Sequence, residues 1–323
     1  MTPRRWLFTT TLLIVAAGTA IVGVNVAIDP YGLFRPTKGR RLVVYGDPRV
    51  AKYLLNGRYV PENFDAVLIG SSVSANWDMS RVARLRIYND SLDGGNIVEG
   101  RLLLDRATSR PGIATVLLLV HPSLTASHDY KTVELTADLT RSAVGSLSLW
   151  EAYKDMMRVR LHRTPAWGKF DDAGTEALEL ASEMNAVMKA LWRPGDTFDL
   201  DPVAFAAYRD TVRHMRAKRL QIIFIVPPTF EDLLQSKRRA FDSYVRLIRA
   251  DSTPDDIWID FTADRYRPFR SHRAHFSDGS HLNAAAAEMV VTYINTEITE
   301  WQAQGPGVAA PQSVSSIEAA SPQ

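Results

Sequence analysis

Two adjacent serines and a distant Asp-Gly-Ser-His turn are the residues of this chain whose types and spacing suit nucleophilic chemistry. Ser71 and Ser72 follow a short apolar run, "VLIG". Asp278 precedes His281 by three residues, just ahead of a helical pattern. A serine nucleophile needs an imidazole to take its proton and a carboxylate to hold that imidazole in the productive tautomer. These residue types therefore predict acyl transfer from one serine, with His281 as the base and Asp278 as its orienting carboxylate.

Each of these residues also has a purely structural interpretation. A serine after a strand often caps a helix, and an aspartate before glycine often forms an Asx turn. His281 could cap the last helix, although one short turn can present imidazole and carboxylate together. His272 and His275 raise the question of a metal site, but their spacing lacks the i, i+4 pattern of zinc-binding helices. We therefore predict no metal and no other cofactor.

Short apolar runs alternate with helical periodicity along most of the chain. The runs are rich in Val, Ile and Leu, which is typical of strands buried on both faces of a parallel sheet; they cover 64–70, 86–91, 115–120, 220–226 and 256–261. Helical patterns cover 100–109, 202–219, 231–250 and 283–300. This alternation predicts an α/β fold, a three-layer α/β/α sandwich with a five-stranded parallel, flavodoxin-like sheet.

The carboxyl ends of parallel strands share one edge of a sheet, and ligands bind there. We expect this edge to carry the segments 70–74, 89–96, 121–125 and 227–230. The serine pair would then lie beside the segments that follow the neighbouring strands.

The N-terminal segment predicts a membrane anchor. Arg4 and Arg5 precede an uncharged run, 6–28, which is as long as the ~20 residues that a helix needs to cross the hydrocarbon core. The two arginines favour a cytoplasmic N-terminus. We expect a single-pass protein of the inner (cytoplasmic) membrane, with the bilayer as a partner and the body facing the periplasm or the cell exterior. A cleaved secretory signal remains the alternative.

The predicted organisation has four parts. Residues 1–28 form the cytoplasmic N-terminus and anchor, 29–60 a juxtamembrane connector, 61–300 the α/β domain, and 301–323 a disordered tail rich in Pro, Ser, Ala and Gln. A helical insertion at about 127–200 interrupts the α/β pattern. It forms either part of a substrate cleft or a packing subdomain.

Composition excludes several other classes of function. The 323 residues are 46% hydrophobic and 23% charged, which suits a large globular core. A formal net charge of +2 is too small to indicate nucleic acid as a partner. The chain has no cysteine, so disulfides and thiolate catalysis are excluded.

The serine and the Asp-x-x-His turn resemble two sequence blocks of the SGNH (GDSL-like) hydrolase superfamily. Its first block matches Gly70, Ser71 and Ser72, so Ser72 takes the place of the nucleophile. Ser71 occupies the usual aspartate position, as in the membrane-anchored cell-envelope branch. The fifth block is matched in full by Asp278 and His281.

Two further blocks resemble the family less well. In the second, "NDSLDG", Asn89 fits, and Gly94 fits the position whose N–H serves the oxyanion hole. The resemblance implies an oxyanion hole from the N–H groups of Ser72 and Gly94, with Asn89 as a further candidate. The third block is unmatched, because "VHPSL" stands in its place. Its donor is either missing or supplied by His121 or Ser123, which are also the two candidate substrate-contacting residues.

The resemblance implies a membrane-anchored, extracytoplasmic serine esterase or O-acyltransferase. Its substrates would be acyl esters of a cell-envelope or exported polysaccharide, or another acylated glycan. A sugar hydroxyl as acceptor would make it a transferase, with a membrane-bound acyl donor protein as a further partner. The alternative is a catalytically silent polysaccharide-binding or assembly protein of the same fold, which the unmatched third block favours.

Overall fold

The computed structural model describes residues 2–34, 45–130, 135–136, 139, 149–162, 170–176, 198 and 200–304. One sheet of five parallel strands has the order β2-β1-β3-β4-β5. The strands are β1 (Ala66–Ile69), β2 (Ile87–Asn89), β3 (Thr115–Leu119), β4 (Gln221–Val226) and β5 (Ile257–Asp260). This order is the flavodoxin-like one. The predicted α/β class and five-stranded parallel sheet are confirmed.

Helices accompany the sheet along the described part of the chain. They are α1 (Pro3–Ile28), α2 (Pro48–Leu55), α3 (Tyr59–Asn63), α4 (Ser72–Ala75), α5 (Ile97–Ala107), α6 (Trp150–His162), α7 (Pro202–Ala217), α8 (Glu231–Ser236), α9 (Arg238–Arg249), α10 (Arg267–Ser271) and α11 (Ala284–Gln304). Residues of α2, α5, α7 and α9 share one core cluster with the sheet, and residues of α8, α10 and α11 share the other. The result is three layers, with the sheet in the middle.

Strand β1 is central to the site because it is paired on both sides. Val67 lies opposite Tyr88 of β2 and Val116 of β3. All four residues of β1 are buried, as the continuous apolar run predicts for a strand covered on both faces. The end of β1 therefore lies between the ends of two neighbouring strands.

The predicted connector at 29–60 is wrong in its second half. Helices α2 and α3 lie within this range, and Ala51, Leu54 and Leu55 belong to the main core cluster. These three positions are spaced to share one face of a helix, and that face packs into the core. The packed body therefore begins before residue 61.

Helix α1 is long and apolar enough to cross a bilayer, and almost all of it is exposed. Its end is fixed to the body. The carboxylate of Asp29, just past the helix, accepts hydrogen bonds from the N–H groups of Leu33 (2.6 Å) and Phe34 (3.0 Å). Asn25, buried in the last turn of α1, accepts a hydrogen bond from the hydroxyl of Tyr153 in α6.

Only part of the predicted insertion lies within the described residues. Helix α6 is one part, and the segment 170–176, closed by a bridge between Phe170 and Glu176, is another. The predicted tail lies mostly outside the described residues, although α11 extends to Gln304, past the expected boundary at 300.

Gly174 provides a test of how this segment packs on the sheet. It has φ +81°, and an added Cβ would lie 2.3 Å from the carbonyl oxygen of Asn89. We expect Gly174→Ala to lower the free energy of unfolding by about 1–3 kcal/mol, because the backbone oxygen cannot move away from the methyl group. Denaturant unfolding in detergent measures this change.

The matched control is Gly57→Ala. The three atoms nearest to its added Cβ, at 2.8–3.0 Å, all belong to the guanidinium group of Arg106, the far end of a flexible side chain. We expect the control to lose less stability than Gly174→Ala. Equal unfolding midpoints for the two variants would contradict the described contact with Asn89.

Candidate active site

A tight turn after β1 brings Ser72 to the carboxyl edge of the sheet. Ser71 is extended, and Ser72 is the first residue of α4. The chain approaches its neighbours so closely at Gly70 that a Cβ would lie 2.0 Å from Ser74 Oγ and 2.6 Å from Ser91 Oγ. Glycine is therefore required here, because a side chain would push α4 away from the strand.

Ser72, His281 and Asp278 form one chain of hydrogen bonds. His281 Nε2 lies 2.9 Å from Ser72 Oγ, across 209 positions of sequence. His281 Nδ1 lies 2.6 Å from Asp278 Oδ2. Since the carboxylate accepts the Nδ1 proton, Nε2 is left as an acceptor and the Ser72 hydroxyl donates to it. The structure thus brings together the three residues that the sequence singled out for nucleophilic chemistry.

The loop that carries Asp278 and His281 holds its own shape. Asp278 Oδ1 accepts hydrogen bonds from the N–H groups of Ser280 (2.8 Å) and His281 (2.7 Å). Asn76, just past α4, donates to the carbonyl oxygen of Leu282 at 2.8 Å. This last bond ties the histidine loop directly to the end of the serine helix.

Asp278 is suited to remain ionised. Burial alone would raise the pKa of its carboxyl group, but hydrogen bonds from the His281 ring and from two backbone N–H groups outweigh it. The net effect lowers the pKa below its ordinary value. The carboxylate therefore keeps its charge at neutral pH and can stabilise an imidazolium on His281.

Asn89 has a different role from the one that the sequence offered. Its side chain is fully buried, and Nδ2 donates to the carbonyl oxygens of Ser74 (2.8 Å), Ala75 (3.2 Å) and Trp77 (3.0 Å). No amide hydrogen is left for a substrate. Asn89 instead satisfies the carbonyl groups at the end of α4. The prediction that Asn89 serves an oxyanion hole is wrong, because the carbonyl groups at the end of α4 accept both of its side-chain amide hydrogens.

Gly94 lies on the loop beside the serine turn. Leu92, two residues earlier, forms an isolated parallel bridge with Ser71, and Gly94 itself is exposed. The Ser72 N–H, at the first position of α4, has no acceptor within its helix. The backbone N–H groups of Ser72 and Gly94 thus lie on neighbouring turns at the same edge of the sheet, and both stay candidates for an oxyanion hole.

His121 and Ser123 form a second polar chain on the other side of the serine turn. Ser123 Oγ lies 2.9 Å from Ser71 Oγ and 2.8 Å from His121 Nδ1. The backbone N–H of Ser123 donates to the same Nδ1, at 3.3 Å. Since Nδ1 is an acceptor, the proton of a neutral His121 ring belongs to Nε2.

His121 stays neutral at physiological pH. Burial lowers the pKa of His121 to about 4, and the charge of His281 acts in the same direction, whereas the Asp278 carboxylate opposes it. A neutral ring with its proton on Nε2 is a hydrogen-bond donor that brings no positive charge next to His281. Such a donor suits developing negative charge.

A cleft of about 300 Å³ opens beside these residues. It is lined by His121, Pro122, Phe198, Thr229, Leu233, Lys237, Phe241, Asp278, Gly279 and Ser280. The rings of Phe198 and Phe241 meet edge to face, with centroids 5.0 Å apart. Predominantly apolar walls with a few polar groups at one end are typical of a small-molecule site.

A buried ion pair lies beneath the turn that carries Ser72, and the sequence analysis did not predict it. Lys52 of α2 is fully buried, and its Nζ donates to the carbonyl oxygen of Ser91 at 2.7 Å and lies 3.0 Å from Glu176 Oε1. The backbone N–H of Glu176 donates to the carbonyl oxygen of Ala75 at 2.7 Å. Lys52 thereby joins the loop after β2 to the segment that supports α4. The helical spacing of its apolar neighbours was the signal that could have placed it in the body.

Two of the three histidines near the end of the chain, His272 and His275, have ring centroids 4.5 Å apart, whereas the ring of His281 bonds to Asp278 and Ser72. Among the described residues, no three histidine or acidic side chains are placed to hold a metal ion. His275 Nδ1 donates to the carbonyl oxygen of Phe269 at 2.9 Å. Both ring nitrogens of His281 are engaged by Asp278 and Ser72.

The lowered pKa of Asp278 predicts a pH dependence of stability. A carboxyl group whose pKa is lower in the folded state stabilises the fold above its unfolded pKa of about 3.9, and this stabilisation is lost as pH falls toward the folded pKa. We expect the free energy of unfolding of the wild type to fall more steeply between about pH 5 and pH 3 than that of Asp278→Asn. Denaturant unfolding across this range measures both slopes. Parallel slopes would contradict the hydrogen bonding described for this carboxylate.

Among solved structures, the weak likenesses to this chain include three proteins. No protein-family model matches the chain, and no curated protein matches it. A proposed platelet activating factor from Streptococcus pneumonia is 11% identical, with a TM-score of 0.43 over 79% of this chain and 91% of that one. A GDSL-like lipase from Bacteroides thetaiotaomicron is 9% identical, with a TM-score of 0.37 over 73% and 87%. A catalytic mutant of an acetylxylan esterase from Geobacillus stearothermophilus is 11% identical, with a TM-score of 0.38 over 72% and 93%. At TM-scores below 0.5, these likenesses do not establish a family or a substrate for this chain.

Proposed function

We propose that this protein is a membrane-anchored serine esterase or O-acyltransferase of the SGNH type, which acts outside the cytoplasm on acyl esters of an envelope or exported glycan. The observation that carries the proposal is the unbroken chain of hydrogen bonds from Asp278 through His281 to Ser72. Its distances suit proton transfer from a serine hydroxyl to an imidazole.

The first half of the reaction forms an acyl-enzyme. Ser72 Oγ attacks the carbonyl carbon of the ester while its proton passes to His281 Nε2. The imidazolium then forms a charged hydrogen bond with Asp278. When the bond between the carbonyl carbon and the alcohol oxygen breaks, His281 gives the proton to that oxygen, and the acyl group stays on Ser72.

The second half transfers the acyl group to an acceptor. His281 takes a proton from the acceptor hydroxyl, whose oxygen attacks the acyl carbon, and then returns that proton to Ser72 Oγ as the acyl bond to the serine breaks. Water as acceptor gives hydrolysis, and a sugar hydroxyl gives O-acyl transfer. The cleft beside Asp278 offers room for a small acyl group or part of a sugar.

Three donors serve the oxyanion in this proposal. Two are the N–H groups of Ser72 and Gly94. The third is His121 Nε2–H, in place of the asparagine that the resemblance leads one to expect. The support for His121 is its tautomer, which the Ser123 N–H dictates, and its neutral ring.

The membrane anchor is supported by α1, whose length and apolar surface suit a bilayer. A glycan on the outer side of the membrane would reach the body without crossing the lipid. A membrane-bound acyl donor protein would supply the transferred group. No metal or cofactor takes part in the proposed steps.

Replacing the nucleophile gives the most direct test of the proposal. We expect Ser72→Ala to abolish labelling by a fluorophosphonate probe and to lower the kcat for a p-nitrophenyl ester by about 10⁶-fold, because the variant lacks the hydroxyl that is hydrogen-bonded to His281. In-gel fluorescence and ester hydrolysis measure the two effects.

Two serine variants accompany this experiment. Ser80→Ala removes an exposed hydroxyl beyond α4, and we expect its labelling to equal that of the wild type. Ser71→Ala tests the neighbouring serine, and we expect it to be labelled still. A folded wild type that the probe does not label would overturn the proposal in favour of the catalytically silent alternative.

A variant of His121 tests the third donor. We expect His121→Ala to lower kcat by about 10²–10³-fold with little change in KM, because a donor to the oxyanion acts mainly in the transition state. We expect His121→Asn to recover part of this loss, since an amide N–H can replace the ring N–H. A kcat for His121→Ala within about threefold of the wild type would remove His121 from the oxyanion hole.

A further inference from the structure

Helix α6 carries an apolar stripe that faces away from the protein. Trp150, Met157 and Leu161 are 63%, 56% and 72% exposed. At 3.6 residues per turn, they lie within about 40° of arc on one face of the helix. Three large apolar side chains are thus aligned along almost the whole length of α6.

The stripe belongs to a packed helix. Ala152 and Met156 are buried on the other side of α6, as is Leu149 just before the helix, and Leu149 and Ala152 share a core cluster with Tyr31. In the rest of the described body from residue 45 onward, the large exposed apolar residues are single ones on separate helices: Val203, Leu247 and Met289. Single exposed apolar residues are ordinary, whereas an aligned group marks a contact surface.

The position of α6 beside α1 indicates what this surface meets. Tyr153, next to the stripe on the helical wheel, donates its hydroxyl to Asn25, three residues before the end of α1. At 1.5 Å per residue the 26 residues of α1 span about 39 Å, against about 30 Å for a hydrocarbon core. If α1 crosses the bilayer, its last turn lies at the depth of the headgroups. Helix α6, bonded to that turn, lies at the same depth.

We propose that α6 is a second membrane contact, an interfacial helix that inserts Trp150, Met157 and Leu161 into the outer leaflet beside the end of α1. This inference rests on the proposed anchoring by α1. The exposed side chains of Lys154 and Arg158 border the stripe, where basic groups suit lipid phosphates. A tryptophan at one end of the stripe is a residue type enriched at membrane interfaces.

The consequence is a fixed orientation of the body. The turn at Asp29 and the side chain of Asn25 hold the end of α1 to the body, and α6 adds a second contact between the body and the membrane. Two non-collinear contacts prevent the body from swinging freely on its anchor. The Ser72 site would then face one constant direction relative to the membrane.

The sequence contains no cysteine, so a spin label can be attached to a single introduced cysteine. A nitroxide is attached to Met157→Cys, and separately to Leu161→Cys, in the full chain reconstituted in vesicles of phosphatidylcholine and phosphatidylglycerol. We expect both labels to collide with oxygen more often than with a water-soluble nickel complex, at a depth of about 5–10 Å below the headgroups. The matched controls, Val203→Cys and Leu247→Cys, lie on α7 and α9, and we expect them to favour the nickel complex.

A label at Leu13→Cys, in the middle of α1, separates the two proposals. If this label is embedded in lipid while those at 157 and 161 are open to the nickel complex, the interfacial role of α6 is overturned and the anchor stands. Shielding of positions 157 and 161 from both reagents would mean that a protein surface or a second copy covers the stripe, which also overturns the inference. A label at position 13 that is open to water would overturn the anchor and, with it, the membrane contact of α6.

Discussion

The hydrogen bond between Ser72 and His281 is the interaction on which the account of this protein depends, since it joins loops that are 209 positions apart in the sequence. It requires an interior strand that ends beside the loop carrying Asp278 and His281. Parallel β1 supplies that position, and the bond from Asn76 to Leu282 keeps the loop against the serine helix. The lowered pKa of Asp278 keeps its carboxylate charged beside the His281 ring.

The support beneath the serine turn is polar and fully enclosed. Asn89 takes up the carbonyl groups at the end of α4, and Lys52 joins the loop after β2 to Glu176. A buried charge is costly unless it is paired and hydrogen-bonded, as Lys52 is. Asn89 and Lys52 favour one arrangement of the turn that carries Ser72, because a different arrangement would leave one of these buried groups without its hydrogen-bond partner. The serine is therefore positioned by residues that never reach the substrate.

The sequence predicted the elements that follow from local pattern. The five strands were recognisable because each contains a short, mostly apolar run that packs between two layers of helices, and Asp278 and His281 are close enough in sequence to belong to one turn. Lys52 could not be predicted in the same way, since its partner Glu176 lies far along the chain, within the segment predicted as a helical insertion, and a local pattern does not show which side chains meet across that distance. Asn89 was placed near the site correctly, but its role depends on which carbonyl groups need a donor, and only the fold shows that.

Mass spectrometry of a trapped acyl-enzyme tests the central claim most directly. The full chain is mixed with an excess of p-nitrophenyl acetate, quenched in acid within the first turnovers and digested. The account predicts one added acetyl group on the peptide that contains Ser72, and no added group in Ser72→Ala. In a His281 variant that cannot activate the acceptor, the acetyl-enzyme is expected to accumulate, but only to the extent that its slow acylation allows. An acetyl group on another residue, or turnover of the ester with no acylated serine at any time, would contradict it.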